Sequence, residues 1–291
     1  MNPALWTEER KTAAWRAFAA RSADYERWLV EPLRRLFRAE LDEVLQKLKT
    51  EGRKIEGYYA GWGSARVQHD LKRNPALGRI NIDRRAEEQK LRELAMPYVR
   101  EIMRVYGSAR MHDLLSQKMS FDFNVNAPEV QAWIGDRMKR FSREVAGFTF
   151  DEIARIVREG FASGAPLAEI AQSLRDKFES WDKYRAPLIS RTETISAMNR
   201  ADLLAVEQAG LEDQLLKHWL SARDPHVRET HAKAESQYAK GIATDQEFTV
   251  GADRMIAPGL GSEASENINC RCTLYYTKKP MSLEDLERRL D

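Results

Sequence analysis

The two cysteines of the chain, Cys270 and Cys272, flank a single arginine in the segment Asn-Cys-Arg-Cys. A histidine, His231, precedes them in the segment Asp-Pro-His-Val-Arg-Glu-Thr-His. Thiolates and imidazole nitrogens are ligands that zinc prefers, and a cysteine beside a histidine can also act as a nucleophile. The last third of the sequence therefore raises three interpretations: a metal site, a nucleophilic site, or a polar cluster that ties elements of structure together.

Further polar residues and one tryptophan complete this candidate cluster within residues 185–276. The whole set is Arg191, Glu193, Trp219, Asp224, Arg228, His231, Asn269, Cys270, Arg271 and Cys272. Asp224 is a favourable N-cap and Pro225 suits the first helical position, which predicts a helix starting at Asp224. Spacings of four and seven residues would place Arg228 and His231 on the same helix face as Asp224.

Zinc bound by His231, Cys270 and Cys272 is one hypothesis for this cluster. If the Cys-Arg-Cys segment is a strand, both cysteines face one side with Arg271 opposite, and their side chains are spread by about 6–7 Å. That spread is too large for two bonds of about 2.3 Å to one ion without a local bend. The favoured interpretation is therefore packing without a cofactor, in which the thiols are small buried groups and His231 bonds a backbone carbonyl.

An enzyme is the alternative interpretation of the same residues. A small α+β transferase or metal-assisted hydrolase could use the Arg, Glu, His and Cys side chains of the cluster. No glycine-rich phosphate loop adjoins them, and Asn269 with an arginine is not an oxyanion hole by itself. We therefore expect no enzymatic activity, and replacement of His231 and the cysteines distinguishes lost turnover from lost folding.

Helical patterning dominates the chain up to about residue 211. Apolar residues recur at spacings of three and four in residues 33–48, 83–119 and 185–211, and Pro128 suits the first turn of a helix. Segments of β character follow, among them Leu-Leu-Lys-His-Trp-Leu and Cys-Arg-Cys-Thr-Leu-Tyr-Tyr-Thr. The sequence therefore predicts a mainly α protein with a small C-terminal α+β domain.

Four consecutive segments are expected along the chain. They are a helical N-terminal region (1–119) with a glycine-rich hinge near 52–63, a helical linker or body (120–211), a small α+β module (212–279) and a C-terminal helical tail (280–291). The first segment is rich in aromatic side chains, which predicts either core packing or an arm that docks on a partner. These aromatics are Trp6, Trp15, Phe18, Tyr25 and Trp28.

The charge balance gives little support to a specific nucleic-acid binder. The chain has 47 basic and 45 acidic side chains and a net charge of +2, whereas such binders usually show a clear basic excess. Non-specific contact with double-stranded DNA through local patches stays open, with a solvated helix face as the alternative. The patch residues would be Arg34, Arg35, Arg38, Arg84, Arg85, Arg137, Lys139, Arg140 and Arg143.

Hydropathy and cysteine content indicate an intracellular protein. No apolar run approaches the roughly 18–20 residues that span a bilayer, and the first residues lack the apolar core of a signal peptide. Two cysteines are too few for a disulfide-stapled secreted domain, so a reducing compartment is expected. We therefore expect no contact with membranes.

Several segments, taken in order, resemble the C-terminal domain of the phage Mu F-like minor head proteins, also called phage head morphogenesis proteins. They are Arg-Thr-Glu at 191–193, Trp219, Asp-x-x-x-Arg-x-x-His at 224–231 and Asn-Cys-Arg-Cys at 269–272. The resemblance covers roughly residues 120–276. After His231 the family often has a leucine–aspartate–glycine type turn, where this chain has His-Ala-Lys-Ala-Glu-Ser-Gln-Tyr-Ala-Lys-Gly. Residues 1–110 match no pattern of the family.

The resemblance implies a virion component that acts in head morphogenesis. It implies a position in the head interior near the portal, and in the host cytoplasm during assembly. The implied partners are the portal protein, the major capsid or scaffolding protein, and packaged DNA, whose delivery the protein would aid. It implies no catalytic activity, since toxin-fused relatives carry their enzyme in a separate domain, which we do not expect within these 291 residues.

Overall fold

The computed structural model describes residues 6–71, 74–115 and 122–280. Its helices are α1 (Glu8–Lys47), α2 (Arg53–Tyr59), α3 (Ser64–Leu71), α4 (Arg84–Leu114), α5 (Pro128–Ser163), α6 (Leu167–Ser180), α7 (Ala186–Gln208), α8 (Glu229–Gln237) and α9 (Ala264–Asn267). Its strands are β1 (Leu215–Leu220), β2 (Ile242–Ala243), β3 (Phe248–Val250), β4 (Asp253–Met255) and β5 (Thr273–Lys278). The predicted class, mainly α with a small C-terminal α+β module, is confirmed.

Two compact units form, and each is assembled from separate stretches of the chain. The first unit contains Met1–Arg27, Val99–Val130 and Leu188–Asp291, and the second contains Trp28–Tyr98 and Gln131–Pro187. The units thus interleave along the chain, whereas the sequence predicts consecutive segments. All residues of the candidate cluster belong to the first unit.

The first unit holds the sheets. Strands β2, β1 and β5 form an antiparallel sheet in that order, and β3 pairs with β4 in a separate hairpin. Trp219 of β1 lies opposite Leu274 of β5 and is fully buried. Its indole packs edge-on against Phe248 of β3, with 5.5 Å between ring centroids. Trp219 is therefore the centre of a small apolar core that lies between the sheet, the hairpin and α7.

The second unit is helical in its described part. Its core contains large apolar side chains such as Leu33, Phe37 and Leu91, which are 1% exposed or less. The Arg185 guanidinium lies over several aromatic rings, including those of Phe148 and Trp181 at 4.6 Å each. Burial of this cation is compensated by its hydrogen bonds to the Thr149 hydroxyl (2.8 Å) and the Val145 carbonyl (3.0 Å).

The glycine-rich segment near 52–63 is more regular than expected. The chain continues from α1 through a π-helical turn (Leu48–Gly52) directly into α2, so Gly52 and Gly57 lie within helical structure. The break comes only after Tyr59, where Gly61 adopts a φ of +82°. The predicted hinge is therefore wrong for residues 52–59. The predicted helical tail lies outside the described residues except for Pro280.

Four of the five N-terminal aromatic residues pack within the first unit. Phe18 and Tyr25 are buried. The Trp6 indole donates to the Tyr276 carbonyl (3.2 Å), and the Trp15 indole donates to the Arg271 carbonyl (3.0 Å). These four side chains agree with the core-packing alternative, and docking of this segment on a partner stays a prediction. The fifth aromatic, Trp28, belongs to the second unit and is 37% exposed.

No helix in the described ranges combines the length and the apolar character needed to cross a membrane.

Candidate functional site

A stripe of polar side chains on α7 forms the base of the site. Thr192, Ser196 and Asn199 are spaced by four and three residues, which places them on one helix face. Ser196 and Asn199 are buried with the apolar neighbours of this helix. Because a buried hydroxyl or amide needs a hydrogen-bond partner, this face holds whatever segment packs against it in a defined position.

Residues 258–273 are the segment that this stripe holds. Asn199 donates to the carbonyls of Pro258 (2.8 Å) and Cys272 (3.0 Å), and its own oxygen accepts from the Thr273 hydroxyl (2.9 Å). Ser196 donates to the Gly259 carbonyl at 2.8 Å. The Cys-Arg-Cys segment is therefore anchored on α7 immediately before β5 begins.

A left-handed residue bends the chain just before the cysteines. Asn269 has a φ of +61°, a conformation that asparagine tolerates better than most residues. Its backbone amide donates to the Thr192 hydroxyl (3.1 Å), and its side-chain oxygen accepts from Arg191 (2.8 Å). Arg191 in turn pairs with Glu26 of α1 at 3.1 Å. Arg191 and Asn269 therefore fix the bend that directs the cysteine side chains.

The bend brings both thiols to one imidazole nitrogen. The Nδ1 atom of His231 lies 3.3 Å from the Cys272 sulfur and 3.7 Å from the Cys270 sulfur. These three ligand atoms lie within 4.8 Å of one another, and all three residues are about 1% exposed. The Trp219 indole covers His231 edge-on, with 5.3 Å between ring centroids.

The opposite nitrogen of His231 faces a carboxylate. Its Nε2 atom lies 3.1 Å from Glu266 of α9, and the same carboxylate oxygen accepts from the Thr230 hydroxyl (2.9 Å). Because a carboxylate accepts hydrogen bonds, this contact favours a proton on Nε2 and a free lone pair on Nδ1. Glu266 thereby orients the imidazole toward the two sulfurs.

The thiols influence each other's protonation. The side chain of Cys272 and that of His231 hydrogen-bond Cys270, and these contacts lower the pKa of Cys270 although burial opposes the shift. Burial and the neighbouring Cys270 raise the pKa of Cys272. Two neighbouring buried thiols do not readily carry a negative charge at the same time. Because the pKa of Cys270 is lowered and that of Cys272 is raised, Cys270 ionises first.

Asp224 and Arg271 form an ion pair at the edge of the cluster. The guanidinium of Arg271 donates to both carboxylate oxygens of Asp224, at 2.6 and 2.9 Å. This contact comes first among the causes that lower the pKa of Asp224. Arg228 lies nearby and donates to the Ile268 carbonyl at 2.6 Å. These contacts tie the loop before α8 to the Cys-Arg-Cys segment.

The predicted helix start at Asp224 is wrong. The helix, α8, begins at Glu229, with Arg228 as its N-terminal flanking residue, and Asp224 instead accepts from the His226 amide (2.8 Å) in a turn. Pairing with Arg271 draws the Asp224 carboxylate away from an N-cap role. Asp224, Arg228 and His231 therefore do not share one helix face.

The predicted strand through the cysteines is also wrong. Strand β5 starts at Thr273, after both cysteines, so strand alternation does not separate their sulfurs. The geometric objection to a shared ligand therefore fails, because the local bend that it required is present at Asn269. The expected bond from His231 to a backbone carbonyl is replaced by contacts with Glu266 and the two thiols.

Other predicted members of the cluster lie around it. Arg191 and Glu193 are on α7, as expected, and Glu193 is 6% exposed. Trp219 lies near the end of β1, also as expected, and covers the imidazole. The structure therefore gathers His231, Cys270 and Cys272 at the centre, with Asn269, Arg191, Asp224, Arg228 and Arg271 shaping the backbone around them.

Sequence reasoning missed several residues that position the site. Ser196 and Asn199 could have been found, since with Thr192 of the Arg-Thr-Glu motif they form polar residues at helical spacing, which predict contacts to another segment. Glu266 and Asp253 gave no such signal, because acidic residues in a polar loop usually face solvent.

Fold and site together define a mainly α protein whose small α+β module closes over a buried Cys–His–Cys cluster. A profile of the family described as "Phage Mu protein F like protein" matches residues 151–275. The chain therefore carries a domain of the phage Mu F-like family, as the sequence motifs indicated.

Two characterised proteins are similar to parts of the chain. The NAD(+)--arginine ADP-ribosyltransferase EFV of Enterococcus faecalis is 30% identical over 150 residues, which are 51% of this chain and 29% of that protein. The minor head protein GP7 of Bacillus phage SPP1 is 28% identical over 127 residues, which are 43% of this chain and 40% of that protein. The chain thus spans well under half the length of either relative. No solved structure matches the chain significantly.

Proposed function

We propose that this protein is a minor head protein that acts in phage head morphogenesis. The observation that carries the proposal is the Mu F-like match over residues 151–275, together with the similarity to a protein named as a minor head protein. The virion head, and the host cytoplasm during assembly, are the corresponding locations. A structural role also suits a module whose polar side chains form hydrogen bonds and ion pairs with one another.

Catalysis by the Cys–His–Cys cluster is not part of the proposal. His231, Cys270 and Cys272 are each about 1% exposed and lie beneath Trp219, so a substrate has no path to them without opening of the module. The similarity to an ADP-ribosyltransferase covers only 29% of that protein. Similarity over this part does not show that the matching segment carries the transferase activity in the relative's name. A non-enzymatic role is therefore the better supported function.

The portal protein is the partner that we propose first, with the major capsid or scaffolding protein as a further candidate. Contact with packaged DNA has weaker support. Several of the arginines that could face DNA have an acidic neighbour, as in the pairs Arg34–Glu31, Arg38–Asp182 and Arg84–Glu88. Such pairs are typical of a solvated helix face, and they reduce the positive potential that would attract phosphates.

Deletion of the gene from its phage, with the chain supplied in trans, tests the proposed function. We expect a large fall in infectious titre, abnormal or empty heads in electron micrographs, and recovery with the wild-type chain. The chain should also be found by mass spectrometry in purified heads and should co-purify with the portal protein.

A chain with exposed His226 replaced by alanine is the matched control and should restore titre fully. Normal heads after deletion, combined with absence of the chain from purified heads, would exclude a head protein. Presence in heads without portal co-purification would retain the head role and reject the portal as partner. DNA contact is tested separately by retention on duplex DNA across a salt series: retention that weakens steeply with salt would support it, and no retention at low salt would reject it.

A further inference from the structure

We propose that His231, Cys270 and Cys272 bind one zinc ion, which closes the α+β module as a structural centre. The proposal rests on contacts within the first unit and does not depend on the role in head assembly. Its ligands come from two segments far apart in the chain, the start of α8 and the segment before β5. A shared ion would therefore join a helix to the closing strand.

The distances between the ligand atoms fit a tetrahedral ion. Zinc–sulfur bonds of about 2.3 Å and zinc–nitrogen bonds of about 2.0–2.1 Å, at tetrahedral angles, place a ligand nitrogen roughly 3.6 Å from each ligand sulfur. The observed separations from His231 Nδ1 are 3.3 Å to Cys272 and 3.7 Å to Cys270. Both nitrogen–sulfur separations thus fit one ion with shifts of a few tenths of an ångström, and the two sulfurs lie within 4.8 Å of each other, against roughly 3.8 Å on a tetrahedral ion.

Hydrogen bonding alone satisfies this cluster poorly. Contact with Glu266 favours a proton on Nε2, which leaves one lone pair on Nδ1 for two sulfurs. One lone pair accepts one linear hydrogen bond, so one thiol can donate only to the neighbouring sulfur, which is a weak acceptor, whereas a metal ion bonds the nitrogen and both sulfurs at once. The carboxylate behind a metal-binding histidine is also a recurrent arrangement, which fixes the tautomer and increases the basicity of the ligand.

The backbone already donates to the sulfurs. The amide of Cys272 donates to the Cys270 sulfur at 3.4 Å, and the backbone of Ala222 hydrogen-bonds the Cys272 sulfur. Amide donors of this kind stabilise thiolates in metal centres. The Cys272 amide is placed by the bend at Asn269, which Thr192 and Arg191 hold, and Ala222 lies just after β1, so both donors are built into the fold.

Burial favours a neutral assembly of this composition. One Zn²⁺ ion with two thiolates and a neutral imidazole carries no net charge, whereas two thiolates without a cation are costly at 1% exposure. The described residues supply three ligand atoms, one fewer than structural zinc sites usually have, and we assign the fourth position to a water molecule. Since Trp219 covers the imidazole, the ion would serve stability and not substrate binding.

Metal analysis of the full chain, purified without chelators from cells supplied with zinc, is the direct test. We expect about one zinc per chain, release of this zinc by a thiol-blocking reagent, and protection of both cysteines from alkylation until the zinc is removed. Cobalt substituted for zinc should show thiolate-to-cobalt charge transfer in the near ultraviolet. Chelation should lower the unfolding temperature, and added zinc should restore it.

Zinc content of single variants distinguishes the ligands of the ion from buried residues that do not bind it. Cys270→Ser, Cys272→Ser and His231→Ala should each reduce zinc content to background. His218→Ala removes a buried histidine of the same module, which contacts Thr277 instead of the cluster, and should keep the zinc. Glu266→Gln should weaken zinc affinity by about 10–100-fold, the range for residues that orient a ligand.

Ligand variants could fail to fold, so wild-type protein carries the decisive measurement. Zinc-free wild-type protein, reduced and soluble, should take up one zinc per chain with loss of two titratable thiols. Absence of uptake at micromolar zinc would overturn the proposal. A Cys270–Cys272 disulfide in freshly isolated protein would overturn it as well, as would cobalt spectra without thiolate bands.

Discussion

Asp253 is buried at the start of β4 and organises the loop that carries Glu266. Its carboxylate accepts from the amides of Arg254, Ser262 and Glu263, and from the side chains of Ser262 and Asn267, at 2.9–3.2 Å. Burial acts to raise its pKa, but these hydrogen bonds outweigh burial and hold the pKa below the ordinary value of 3.8. The position of His231 thus depends, through Glu266, on a carboxylate outside the cluster.

Replacement of Asp253 by asparagine should destabilise the first unit. The new amide group would face the donors of Glu263 and Asn267, so two hydrogen bonds to a charged acceptor are lost, at a cost of about 2–3 kcal/mol. Urea unfolding measures this change. Asp151→Asn on α5, where the aspartate is exposed, is the control and should change the unfolding free energy by less than about 0.5 kcal/mol.

The pH dependence gives a second readout of the same residue. Because the folded-state pKa of Asp253 is depressed, its contribution is complete above the ordinary pKa and is lost as pH falls through the folded value. Between about pH 6 and pH 3 the wild type should therefore lose more unfolding free energy than Asp253→Asn. Equal losses would show that Asp253 does not stabilise the folded state as an anion.

Residue identity alone predicted the members of the cluster but not their geometry. His231, Cys270 and Cys272 stand out by type, whereas their convergence depends on the φ of +61° at Asn269. Asparagine tolerates this conformation without requiring it, so the sequence does not indicate the bend. Lys217 is a similar case, since its fully buried ammonium group donates to the carbonyls of Thr244 and Ile256 within an otherwise ordinary strand pattern.

At the scale of single elements, two of the three glycines of α5 lie in different surroundings. A Cβ atom at Gly160 would lie 2.5 Å from Ile170 Cγ1 of α6, whereas a Cβ atom at Gly135 would meet no atom within 4 Å. Gly160 therefore permits close approach of α5 and α6 in the second unit. Gly135 has no comparable packing role within the described structure.

Alanine at these two positions should have opposite effects. Gly160→Ala forces Ile170 or the helix to shift and should lower the unfolding free energy by about 1–3 kcal/mol. Gly135→Ala reduces the flexibility of the unfolded chain and should raise the unfolding free energy by about 0.5–1 kcal/mol. Calorimetry or urea unfolding measures both. A stabilising Gly160→Ala would mean that α5 and α6 are not packed as closely as the structure has them.

The sequence predicted helices and strands correctly where local residue preferences determine them. The start of α5 at Pro128 and strand β1 agree with the periodicity and with the preference of proline for a first turn. Local signals failed at Asp224 and Pro225, because a long-range partner, Arg271, engages the carboxylate that would cap a helix. Capping patterns predict a helix start only when the side chain has no stronger distant partner.

At the scale of the molecule, the first unit joins the beginning of α1 to the last strand. Trp15 packs against the core around Trp219 and donates to the carbonyl of Arg271, between the two cysteines. Periodicity identifies α1 as amphipathic but does not indicate which part of the chain packs against its apolar face. The interleaved units therefore could not be predicted from local patterns, which led to consecutive segments instead.

Replacement of Trp15 by alanine should destabilise the α+β module. It removes apolar packing and leaves the Arg271 carbonyl without this donor, at a cost of about 2–4 kcal/mol. Amide hydrogen exchange in β5 should accelerate accordingly, measured by mass spectrometry. Trp28→Ala, on the same helix, is the control and should leave β5 unchanged, since Trp28 belongs to the second unit. Unaltered exchange in Trp15→Ala would contradict the packing of α1 on this module.

The pairing of Trp6 with Tyr276 spans 270 residues, which has a consequence during translation. At roughly 5–20 residues per second, the apolar face of the first helix leaves the ribosome roughly 15–55 seconds before the strand that covers it has been made. Throughout that interval Trp6 and Trp15 lack the carbonyls of Tyr276 and Arg271 to which they donate in the folded protein. Chaperones that bind aromatic segments would therefore meet this protein at its beginning, and a chain stalled before β5 would be recognised by the same surface.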